Sequence, residues 1–168
     1  MRRMIAYSVG AIVACLVAGP VRGEHAKINL EVFAPGGQVS ASVDQTPPAW
    51  GKNPRPVLKA KVHDPIRVNF MLTNVYPHKK LENVVVHFYI AAVKNTGQHE
   101  LPDLNKEVFT ETAFEMDFKP GAKAGQRGTF RIDQPGVYLV RVETRNTQSD
   151  HEHFAAVDLV VSGQSEKS

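Results

Sequence analysis

The sequence predicts an all-β domain, an antiparallel β-sandwich of about seven to nine short strands. Three observations carry that expectation. Apolar residues recur at every second position along most of the chain. Glycine- and proline-bearing turns separate those runs. No window of a dozen residues repeats its apolar positions with the helical period, and periodicity is the primary signal of element type.

The alternation starts with Ile28, Leu30, Val32 and Ala34, interleaved with Asn29 and Glu31. A Pro-Gly-Gly turn at 35–37 precedes Val39, Ala41 and Val43. Leu58, Ala60 and Val62 alternate with Lys59 and Lys61, then Ile66, Val68, Phe70 and Leu72 with Arg67, Asn69 and Thr73. The stretch 84–93, VVVHFYIAAV, is apolar on both parities, as suits a central strand covered on both faces. Phe114, Met116 and Phe118, then Phe130 and Ile132, then Tyr138, Val140 and Val142 continue the pattern, and Ala155, Val157, Leu159 and Val161 close it. HDP, YPHKK, KNTG, KPGAKAG and QPG are the punctuation. In His63-Asp64-Pro65 the aspartate is expected to bond nearby backbone amides. Residues 44–56 form an irregular connection with Pro47, Pro48, Pro54 and Pro56.

Residues 1–23 read as a secretory signal: a basic MRR, an apolar stretch, then small Val21 and Gly23 at the cleavage positions. IVAC at 12–15 also resembles a bacterial lipobox, which would place a lipid on Cys15. A single domain is expected over 24–162, with a disordered tail at 163–168. Localisation is then secreted or periplasmic. Removing Arg2, Arg3 and Arg22 from the 20 basic residues leaves 17, matching the 17 acidic ones. The remaining chain has no basic run, which argues against nucleic acid as a partner, and no second apolar stretch that would span a membrane. Cys15 is the only cysteine, so the predicted mature chain can form neither a disulfide nor a thiolate metal site, and a hydrophobic core must hold it together.

Residues 133–140, DQPGVYLV, resemble the strand-F signature of immunoglobulin-like domains, Asp-x-x-Gly-x-Tyr-x-Cys. Asp133, Gly136 and Tyr138 match, and Val140 stands where the disulfide cysteine would be. The resemblance implies an immunoglobulin-like sandwich with a tyrosine corner, in which the hydroxyl ties back to upstream backbone. It also implies strand F at 137–144, strand G at 153–161 and an F–G loop RNTQSDHE between them.

That loop holds the most chemistry-bearing cluster, SDHEH at 149–153. His151 and His153 share the inward parity of strand G, so both could face the inner mouth of the sandwich. Asp150 and Glu152 bracket His151. Two ligands do not complete a zinc or copper site. His25 and His63 are the favoured further ligands, with His78, His87 and His99 behind them, and Asp150 is the candidate carboxylate. With His25 near the predicted mature terminus, the chain also resembles periplasmic copper carriers of immunoglobulin-like shape, which implies copper or zinc as the ion. The plainer reading is a polar loop whose acids pair with its histidines.

His87, in the most apolar run, is expected to be a core histidine with a satisfied hydrogen bond. Trp50 is expected to plug one end of the sandwich. Arg141, Glu143 and Arg145 are expected to point outward and pair across strands. The chain lacks Gly-x-Ser-x-Gly, His-Glu-x-x-His and a phosphate loop, so an enzyme is not expected. The sequence therefore predicts a non-enzymatic binding or accessory module presenting SDHEH to a protein or small ligand. A periplasmic metal carrier and a lipid-anchored surface protein are the alternatives.

Overall fold

The structure is a computed structural model describing residues 26–42, 55–146 and 149–163, with only the backbone of Ser42, Asn146 and residues 149–152. The alternating runs become nine strands: β1 (Ala26–Ala34), β2 (Gly37–Ser42), β3 (Val57–Lys61), β4 (Ile66–Asn74), β5 (Leu81–Val93), β6 (Val108–Phe118), β7 (Lys123–Phe130), β8 (Gly136–Asn146) and β9 (Ser149–Ser162). One four-residue helix, α1 (Leu104–Glu107), interrupts them. One sheet has the order β2-β1-β4-β7 and the other β3-β9-β8-β5-β6. All pairings are antiparallel except β3 on β9.

The order β1-β4-β7 opposite β5-β8-β9 matches strands A-B-E opposite C-F-G, so the sandwich is immunoglobulin-like. The inner faces meet through the residues that the alternation selects. Ile28, Leu30 and Val32 of β1 and Ile66, Val68, Phe70 and Leu72 of β4 oppose Val140 and Val142 of β8 and Val157 and Leu159 of β9, all buried. Interdigitating inner faces of this kind make a sandwich core. Burial of these side chains is the dominant favourable term, at about 25 cal/mol per Å² of apolar surface.

The tyrosine corner forms as expected. Tyr138 packs in the core, and its hydroxyl donates to the Gln134 carbonyl at 3.0 Å. Burial, reinforced by the negative charge of Asp133, pushes its phenol above the ordinary value. In the HDP turn the Lys61 amide donates to Asp64 Oδ2 at 2.8 Å, while His63 adopts the left-handed conformation at φ 66°.

At the opposite end of the sandwich, buried Asn74 organises the turns. Its side-chain amide donates to the carbonyls of Lys79 at 2.8 Å and Phe118 at 3.1 Å, and its Oδ1 accepts the Tyr76 amide at 2.9 Å. The connection before β5 is thereby tied to the one after β6. Gly125 of β7 has a steric reason: a Cβ there would fall on the Phe70 carbonyl oxygen of the paired strand.

Three expectations change. The F and G strands are longer than the sequence suggested, since Asn146 still pairs with Ser149. SDHEH is thus strand backbone at the start of β9 and not a loop. Long-range pairing decided this, because local polarity had argued for a turn. Arg141 and Glu143 lie on the outer face as expected but are buried, both only 5% exposed. The segment 94–107, between β5 and β6, folds back as a strap over that face, with Leu104 packed against the buried cluster of Tyr89, Ala91, Leu139 and Ala156. Finally, His87 is half-buried on the outer face instead of sitting in the core.

Candidate functional site on the outer face of the five-stranded sheet

The strap gives the sandwich a third, partial layer, and a groove of about 380 Å³ opens beside it. Val85, His87 and Tyr89 of β5, Ala113 of β6 and Glu143 and Arg145 of β8 line one side. Leu101, Pro102 and Leu104 of the strap line the other. The sequence supplies these residues through strand parity. Odd residues of β5 from Val85 on and of β8 point outward, and the both-parity apolar run provides Tyr89 and Ala91 to pack under the strap.

His87 is suspended between two carboxylates. Its Nδ1 lies 3.4 Å from Glu143 Oε1 and its Nε2 3.3 Å from Glu111 Oε2. Glu143 in turn accepts from Arg141 Nε at 2.7 Å, and Arg145 Nη2 approaches it at 3.9 Å. The Arg141 guanidinium stacks 3.9 Å over the Phe154 ring, a cation–π arrangement. The groove therefore combines an apolar wall with a hydrogen-bonded ionic floor, the composition common to small-ligand sites.

The strap is held from within. Asp103 caps α1 by accepting the Asn105 amide at 3.1 Å, and Glu107 accepts the Asp103 amide at 2.7 Å. Fully buried Asp158 of β9 reaches through to accept the Gly97 amide at 2.6 Å. Its other oxygen lies 3.0 Å from Arg55 Nε, an ion pair whose angle is poor for a hydrogen bond. Nothing local in AAVDLVV distinguishes this aspartate from a solvated outward residue; only the covering segment does. The same holds for Arg141 and Glu143.

The metal ligands suggested by the sequence are dispersed differently. His153 is 9% exposed, opposite Thr144 in register and on the inward parity of β9. His151 and Asp150 belong to β9, but their side chains, like His25, Trp50 and Cys15, lie outside the described parts. His63 stands at the other end of the sheet, since its neighbour Val62 donates to the Ser162 carbonyl. Nine strand positions separate Ser162 from His153, about 30 Å at the rise of a strand. His63 and His153 cannot share an ion. Among the described residues, no group of three histidine, cysteine or acidic side chains is placed to hold a metal.

No family model matches the chain, and no curated protein does. Solved structures similar to it include the C-terminal domain of Wzt, at 11% identity over 81% of this chain and 72% of that one, with a TM-score of 0.42. The PmoD soluble domain from Methylocystis sp. ATCC 49242 (Rockwell) is similar at 12% identity over 80% and 90%, with a TM-score of 0.43. A family 123 glycoside hydrolase from Clostridium perfringens matches at 9% identity over 67% of this chain but 24% of its own, with a TM-score of 0.41. At such identities and scores, the function must be argued from this chain's own residues.

Proposed function

We propose that the chain is an exported, non-catalytic binding module that uses the groove on its five-stranded sheet to hold a small ligand or a partner's side chain. One observation carries this reading: His87 bridges Glu111 and Glu143 in a groove whose other wall is Leu101, Pro102 and Leu104 of the strap. The arrangement favours binding over catalysis, because both ring nitrogens already face carboxylates. A histidine acting as general base needs a nitrogen directed at a nucleophile or substrate. Export rests on the signal-like first 23 residues. Among the described residues, no helix is long and apolar enough to cross a membrane.

The test is protein-observed NMR of the folded domain against a library of small amphiphilic compounds, repeated with Ala113→Trp, which fills the groove. Hits that shift the His87 and Leu104 resonances and vanish in the variant support the reading. Hits confined to other surfaces, or none at millimolar concentration, would sink it.

A second reading, a periplasmic copper or zinc carrier, is favoured by one placement. Ala26, directly after His25, pairs with Asn74. Asn74 bonds the Phe118 carbonyl at the end of the sandwich where β9 begins with SDHEH. Histidines 25, 151 and 153, with Asp150, are the ligands this reading uses. Calorimetry of the metal-stripped protein with copper(II) and zinc(II), beside His151→Ala/His153→Ala, tests it. One-to-one binding lost in the variant supports a carrier, and binding unaffected by the variant rules these histidines out.

A further inference from the structure

The two sheets close on one side, where β1 and β2 pack against β3 and β9. On the other side β6 and β7 are both sheet edges, and between them lies a cleft of about 190 Å³ lined by Val68, Phe70, Phe88 and Phe130 together with Thr110 and Thr112. Phe70 and Phe88 stack across its floor at 5.6 Å. The cleft is open for a structural reason. The inward side chains of β6 from Thr110 to Met116 are only half-buried, whereas those of β4 are buried. On β7, a Cβ at Gly128 would stand in open space.

Long edge strands are normally guarded by lysine, proline or a cover, because their unpaired backbone groups template pairing with another chain. β6 runs for 11 residues, VFTETAFEMDF, with no lysine, arginine or proline. Among the described residues it pairs only with β5. Its outward positions Glu111, Glu115 and Asp117 are exposed and acidic. Asp117 is engaged by Lys80 at 2.8 Å, and its carboxyl is held below the ordinary range by that contact and by the Asn83 amide.

We propose that the free edge of β6 is a strand-addition site for a partner segment that is extended and alternates apolar residues with lysine or arginine. Strand addition supplies affinity through main-chain hydrogen bonds and specificity through alternate side chains. Apolar side chains on the inward parity of the added strand would enter the cleft over Phe88 and Phe130. Basic ones on the outward parity would lie beside Glu111 and Glu115, where opposite cross-strand charges attract. The same rule disfavours a second copy of this chain. Antiparallel self-pairing centred on Ala113 sets Glu111 against Glu115, and centred on Phe114 sets Glu111 against Asp117. The site shares Glu111 with the groove beside the strap, but strand addition does not require the groove to be occupied.

The experiment titrates the folded protein with three labelled eleven-residue peptides and follows anisotropy and amide hydrogen exchange. One alternates valine and lysine, one alternates valine and glutamate, and one has the composition of the first with its valines and lysines in separate blocks. The alternating basic peptide should bind best, protect β6 amides and weaken as salt rises. Glu115→Lys, a change at an exposed position, should weaken it at least about fivefold while strengthening the acidic peptide. Circular dichroism checks that the variant folds. Equal binding of the blocked peptide, an unchanged preference in a folded Glu115→Lys protein, or protection appearing away from β6 would each overturn the proposal. So would a concentration-dependent dimer that protects β6 without any peptide.

Discussion

Replacing Asp158 with alanine tests how the outer layer is held. The carboxylate is fully buried, its side chain 1% exposed, and its Arg55 partner is 12% exposed. Removing one member of a buried ion pair costs about 3–5 kcal/mol, because the other charge stays behind without compensation. Here the Arg55–Asp158 contact is poorly aligned, and Arg55 Nη2 is buried with no hydrogen-bond partner among the described residues. The pair is less well compensated than an ideal one, which places the expected loss near the lower figure, about 3 kcal/mol. For a domain of this size that corresponds to a fall in Tm of roughly 6–12 °C. Urea unfolding of Asp158→Ala, with the slope compared to wild type, measures the loss. Hydrogen exchange adds a spatial readout: amides of residues 94–107 should lose protection first, since Gly97 loses its 2.6 Å acceptor. An apolar double variant, Arg55→Met/Asp158→Leu, should recover most of the stability. A loss under about 1 kcal/mol in Asp158→Ala, or unchanged exchange in the strap, would refute the view that this aspartate fastens the strap to the sheet.

Tyr138→Phe should cost about 1 kcal/mol by removing the corner hydrogen bond, measured by the urea midpoint. The Tyr138 phenol also predicts a pH effect. Its proton is bound more tightly in the folded chain than at the unfolded value of 10.0. Its contribution is therefore complete below about pH 10 and is lost as pH rises through the higher folded value. A urea series from pH 9 to 12 should show the steeper alkaline decline in wild type than in Tyr138→Phe, and parallel curves would contradict the assignment. Asn74→Ala should cost about 2–3 kcal/mol, since it strands buried backbone carbonyls and the Tyr76 amide; calorimetric melting checks it, with wild-type stability as the contrary result. Gly125→Ala should cost about 1–3 kcal/mol by forcing β7 away from the Phe70 carbonyl, read from denaturant unfolding and from faster exchange along β4 and β7.

The sequence by itself determined the inner face. Alternation selects Ile28, Leu30 and Val32, and Val157, Leu159 and Val161, because a strand exposes opposite faces at successive residues and only one face of each sheet meets the other. DQPGVYLV likewise announced the corner, since that hydrogen bond closes within four residues, from Tyr138 to Gln134. Tertiary structure decided the outer face. Asp158, Arg141, Glu143 and His87 carry the sequence pattern of solvated outward residues or, for His87, of a core strand. Their burial depends on the strap that carries Leu104 and Gly97, and their pairing on neighbouring strands and, for Asp158, on Arg55. Register decided SDHEH in the same way: its residues look like a loop until Asn146 pairs with Ser149. Local composition reports the conformations a segment prefers. Which polar groups end up covered depends on contacts between segments distant in sequence, and those exist only once the sheets have packed.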